Sequence, residues 1–141
     1  MCSARRLFTS ALLAWLVCSA CVGTPDDTAT LSAETPLIQA SERGSVEATI
    51  RLTDGRLDAG PHDLSVELKA LTDSGDAGPV LVSASASMPA HGHQVSAAVS
   101  KSSSGYRVEE LDLFMSGRWQ VVLGVELDAR SDSVDFALDV P

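Results

Sequence analysis

The sequence predicts an all-β fold: an immunoglobulin-like antiparallel β-sandwich of about seven strands, placed after an N-terminal signal segment. Two observations carry this. From Ser45 onward apolar residues recur with a period of two, as half-buried strands require. The alternating runs are short and are separated by clusters of Gly, Asp, Ser and Pro, and no helical pattern interrupts them. A small barrel is the alternative closure of the same strands. The cysteine-tryptophan-cysteine arrangement of antibody domains is absent, so the kinship is one of architecture.

The strands follow in order. Val46, Ala48, Ile50 and Leu52 alternate with Glu47, Thr49, Arg51 and Thr53. Asp54-Gly55 opens a loop past Gly60-Pro61, with His62 as a loop residue. Leu64, Val66, Leu68 and Ala70 form the next apolar face. After the turn chemistry of Asp73 to Pro79, Val80, Val82, Ala84, Ala86 and Met88 share a face opposite Ser83, Ser85 and Ser87. Pro89 ends that strand because it cannot donate to a ladder. Val95, Ala97 and Val99 make another. Tyr106 and Val108 open a segment reaching Leu111, Leu113 and Met115, its hydroxyl expected on a backbone partner. Ser116-Gly117 reads as a tight hairpin connection. Trp119, Val121, Leu123, Val125 and Leu127 form the clearest strand, with Trp119 as the central core aromatic. Val134, Phe136, Leu138 and Val140 close the chain.

The 141 residues leave room for one domain and a targeting segment. Arg5 and Arg6 precede an apolar run from Leu7 to Ala20, the pattern of an export signal. Cys18-Ser19-Ala20-Cys21 matches a bacterial lipobox in its small residues, although Cys18 stands where leucine is usual. The expectation is a lipoprotein signal peptide over 1–20 and a lipid on Cys21; plain cleavage after Ala20 is the other outcome. Residues 21–43 are expected to form a flexible tether, with Leu37-Ile38 able to begin a short edge strand. The β-domain is expected over 44–141. Val22 lacks the aspartate that retains some lipoproteins at the inner membrane. The expected address is therefore the periplasmic face of the cell envelope, anchored to the outer membrane.

All three cysteines lie within the first 21 residues, so the domain must rely on its core instead of disulfides. The formal net charge is −9. Such a surface repels nucleic acid and anionic headgroups and serves solubility.

Chemistry concentrates in Met88-Pro89-Ala90-His91-Gly92-His93. Two imidazoles two residues apart can face the same way on extended backbone. With Met88, and with Met115 from a neighbouring segment, they would form a thioether-imidazole set suited to copper, Cu(I) above all, whereas the imidazoles alone would suit Cu(II), zinc or nickel. A cysteine-based structural zinc site is excluded because no thiolate is available. By phase alone, Met88 and Met115 belong to apolar strand faces and fill core, and His91 and His93 are polar loop residues. No serine sits in an activating motif and there is no Gly-rich phosphate loop, so no enzyme is expected.

Met88-Pro-Ala-His91-Gly-His93, then Gly105-Tyr106, then Leu113-Phe-Met115-Ser-Gly117-Arg-Trp119 resembles the YtkA-like domain family, which is related to FixH. The resemblance covers roughly Val46 to Val140. It implies a small exported or membrane-tethered β-sandwich, in a family with links to copper handling and copper-oxidase assembly. It further implies Met88, His91, His93 and Met115 as metal ligands and Gly117 and Trp119 as scaffold. FixH proteins carry a spanning helix, whereas this chain carries a lipobox, a departure that bears on an oxidase-assembly role. Two functions follow as expectations: a lipid-anchored copper carrier or buffer, or a metal-free scaffolding lipoprotein that binds another envelope protein.

Overall fold

The computed structural model describes residues 31–53, 55–73 and 75–141. Cys21 and the signal segment lie outside them. Eight antiparallel strands make up the body: β1 (Leu37–Ala40), β2 (Val46–Leu52), β3 (Gly60–Ala70), β4 (Val80–Met88), β5 (His93–Ser102), β6 (Gly105–Leu113), β7 (Gly117–Leu127) and β8 (Arg130–Val140). The all-β expectation is met, and the described residues contain no helix.

The strand order is β1-β2-β3-β6-β5-β4-β7-β8. Within it, β2-β3-β6-β5 and β4-β7-β8 are the two groups of a constant-type immunoglobulin arrangement. They are not separate sheets. β5 pairs with β4 through His93–Ala97 and then with β6 through Ala98–Ser102, so one strand serves both. The far ends of the order also approach each other, because the Glu42 amide donates to the Ser133 carbonyl of β8 at 2.9 Å. The body therefore stands between a two-sheet sandwich and a closed barrel.

The core is built by alternation. Val46, Ala48, Ile50 and Leu52 of β2 and Trp119, Val121, Leu123 and Val125 of β7 turn into the same core, all buried. Leu64, Val66, Val108 and Leu111 complete one layer, and Val134, Phe136 and Leu138 the other. Burying such side chains contributes roughly 1.5–3 kcal/mol each before entropy is counted.

Period-two reading fails where the ladder slips. Between Leu81 and Ser83 the register of β4 on β7 shifts, with Val82 as the extra residue of a bulge. The phase inverts there: Leu81 is buried below the bulge and Ala84 above it, while Val80 and Val82 are exposed, against expectation. A second bulge lies on β6 opposite His62/Leu64. There Glu110 has φ 54, and Asp63 fixes the irregularity by accepting from the Glu110 amide at 2.9 Å and pairing with Arg107 at 3.1 Å.

Three further expectations need correction. The folded body begins before residue 44, with Leu31 fully buried and Ser32 bridging Arg56, while the short edge strand expected at Leu37-Ile38 does form, as β1. His62 is a buried strand residue of β3, and its Nε2 donates to the Asp58 carbonyl at 2.7 Å. Ser116-Gly117 is no hairpin, since β6 pairs with β3 and β5 while β7 pairs with β4 and β8. The segment instead crosses from one group of strands to the other. Tyr106 does reach a backbone partner, its hydroxyl donating to the Pro79 carbonyl at 3.4 Å.

At the end away from the Ser116-Gly117 crossing, Asp132 ties the β1–β2 loop to the start of β8. It accepts from the Ser45 hydroxyl at 2.6 Å and from the Ser133 and Arg43 amides at 2.9 and 3.3 Å. Partial burial alone would raise its pKa. The Ser45 and Ser41 hydroxyls and the two amides outweigh that and hold it at about 2, below the ordinary 3.8. Its folded pKa is depressed, so its contribution to stability is complete above the unfolded value and is lost as pH falls from about 4 to about 2. Urea midpoints measured across that range should fall for the wild type. They should fall less steeply for Asp132→Asn, whose stability at neutral pH is already lower.

Candidate functional site

Three segments meet at one end of the body. They are the β4–β5 turn Pro89–Gly92, the β6–β7 crossing Phe114–Ser116 and the first residues of β7. The turn is tight: the His91 amide donates to the Met88 carbonyl at 3.1 Å, and Gly92 takes φ 67, which a side chain would disfavour.

Met88 and His93 are directly opposed in the β4–β5 ladder. Opposed residues of an antiparallel pair share a face, with Cβ atoms about 5 Å apart. Met88 points into the core and is buried. His93 lies on the same face but past the end of the core, and is exposed. His91 is exposed as well, and the two imidazoles stack with centroids 6.3 Å apart and planes at 24°.

The stack continues inward. Phe114 meets His93 edge-on at 5.1 Å, and Trp119 meets Phe114 edge-on at 5.4 Å. Phe114 keeps 44% of its surface exposed, whereas Trp119 has none. The indole N–H of Trp119 donates to the Met115 carbonyl at 2.9 Å, which pins the crossing segment. Met115 is half-buried and packs against the core.

Gly117 completes the site. A Cβ there would lie 3.2 Å from Met88 Cε and 3.9 Å from its sulfur, and the backbone has φ 128. The Met88 thioether is thus covered on its outer side by an exposed residue that has no side chain. Beside this end, Pro89 and Ala90 overhang a shallow, mostly apolar groove of about 510 Å³ that extends over Gln120 and Ala137.

The four residues singled out for metal binding are therefore gathered at one end. Met88 and His93 are paired across strands, His91 stacks on His93, and Met115 enters from the crossing segment. His62 is elsewhere, engaged with Asp58. Among the described residues, no group of three or more His, Cys, Asp or Glu side chains is placed to hold a metal. Any ion at this end would have to use thioether sulfur beside imidazole. Both imidazoles are exposed and would have to turn from their stacked arrangement to aim one in-plane nitrogen each at a shared ion.

Phe114 was not singled out from the sequence as a site residue. Its signal was present, because it is out of phase with Leu111, Leu113 and Met115 and alternation therefore turns it outward. Compared with known proteins, the chain matches no family model, no curated protein and no solved structure.

Packing separates the two kinds of residue here. Met88→Ala should cost about 2–5 kcal/mol in denaturant unfolding, as for other buried side chains cut to alanine. His91→Ala should stay within about 0.5 kcal/mol of wild type.

Proposed function

We propose that the protein is an exported, lipid-anchored copper-binding carrier or buffer of the bacterial envelope. The observation that supports this most is the register of Met88 opposite His93 in the β4–β5 ladder, with the His91 and His93 rings stacked at the same exposed end and Met88 buried just beneath it. Thioether and imidazole are soft-to-borderline donors and favour Cu(I) over hard cations. His91 and His93 are the principal ligands in this reading. Met88, beneath Gly117, and Met115 are the sulfur donors. The resemblance to YtkA-like domains supports the same assignment, and the acidic surface favours the approach of a cation or a basic partner. The reading is of a binding protein, in keeping with a sequence in which no serine sits in an activating motif. The lipid on Cys21 would hold the domain at the periplasmic face of the outer membrane.

The shallow apolar groove and the half-exposed Phe114 favour a second reading, a metal-free scaffolding lipoprotein that docks another envelope protein at this end.

A Cu(I) competition titration distinguishes the two. One-to-one binding that is lost in His91→Ala/His93→Ala is the expected result, with Met88→Leu weakening the affinity while keeping the fold. Equal behaviour of the double variant and the wild type leaves the scaffold reading in place. Separately, labelled fatty acid fed to an expressing bacterium should enter the wild-type chain and be absent from Cys21→Ser.

A further inference from the structure

β8 is paired with a strand along one edge only, although β1 passes beside the start of the other edge near Ser133. Its eleven residues pair with β7 from Leu127↔Arg130 to Gly117↔Val140 without a break in register. The closing pair Leu127↔Arg130 flanks the two-residue turn Asp128-Ala129, both at positive φ, so it is a hydrogen-bonded pair of the ladder. Alternation then turns the N–H and C=O of Arg130, Asp132, Val134, Phe136, Leu138 and Val140 toward β7. Those of Ser133, Asp135, Ala137 and Asp139 turn toward the free edge. The Ser133 carbonyl does point that way, since it accepts from the Glu42 amide at 2.9 Å. Beyond Ser133, Asp135, Ala137 and Asp139 offer three N–H and three C=O groups on an edge that has no second strand in the sheet.

An open edge of this length invites pairing with another chain. The side chains on it decide which. Asp135, Ala137 and Asp139 lie on the outer side of β8, with Ala137 and Asp139 exposed and Asp135 half-buried. A second copy docking antiparallel about Ala137 would set Asp135 of each copy opposite Asp139 of the other. Like charges directly opposed disfavour that pairing. Arg118 of β7 is in register with Asp139 but makes no ion pair with it, so a strand carrying Lys or Arg at alternate positions would meet both carboxylates while taking up the free backbone groups.

We propose that the β8 edge from Asp135 to Asp139 is a docking site for an extended basic segment of a partner protein, bound by strand addition. This site is independent of the histidine turn, and it stands whether or not copper binds there.

The test uses the full-length protein and two nine-residue peptides, one alternating Lys with Val and one alternating Glu with Val. The lysine peptide should bind at least about tenfold more tightly. Binding should slow hydrogen exchange at the amides of Asp135, Ala137 and Asp139. Ala137→Pro removes the central edge N–H but no bond to β7, a position where proline is tolerated. It should abolish binding and leave the circular dichroism spectrum unchanged. Should Ala137→Pro fail to fold, Asp135→Lys/Asp139→Lys decides by inverting the preference between the peptides. Equal binding of both peptides, or unchanged binding to folded Ala137→Pro, would overturn the proposal. So would a dimer of the wild type that Ala137→Pro dissociates, since the edge would then serve a second copy.

Discussion

The burial of Trp119 is the constraint on which the rest of this structure depends. The largest of the fully buried side chains sits at the start of β7, and its one polar atom must find a partner there. It finds the Met115 carbonyl four residues upstream. That bond fixes how the chain crosses from β6 to β7. Immunoglobulin domains use a tyrosine hydroxyl near the start of the equivalent strand, bonded back to upstream backbone. An indole does comparable work here. With the crossing fixed, Phe114 is held outward against His93, Met115 is held inward, and Gly117 is laid over Met88. The arrangement of the histidine end follows from the anchoring of one buried ring.

Much of this was legible in the residues. Alternation located β2, β7 and β8 almost to their ends, because each has one face on the core and one in water. It placed Met88 correctly as a buried residue and left His91 and His93 outside. It failed where a strand gains a residue. Nothing local marks Val82 as a bulge, since its neighbours on both sides continue an apolar and serine alternation that reads the same in either phase. The bulge is visible only against β7. His62 looked like a loop residue because Gly60-Pro61 precedes it, yet proline can begin a strand whose N–H it does not need.

The gathering of the site was only half legible. His91 and His93 are close in sequence, so their proximity follows from the chain itself. That Met88 opposes His93 follows from a four-residue turn. Phe114, Met115 and Gly117 join them through a crossing between strand groups, and a Ser-Gly pair suggested a hairpin that the topology does not make. The Ser45–Asp132 contact bridges 87 residues and had no local signature at all. Local pattern specifies faces, while long-range register specifies neighbours.

The shared strand β5 has a mechanical meaning. Its first half belongs to the ladder that carries the histidine turn, and its second half to the hairpin with β6 at the other end of the molecule. No flexible connection separates the two strand groups along this route; the covalent backbone itself passes through both in extended form. A twist applied at the turn is therefore transmitted along a single stiff rod to the far hairpin, and the two layers cannot slide past each other as independent plates.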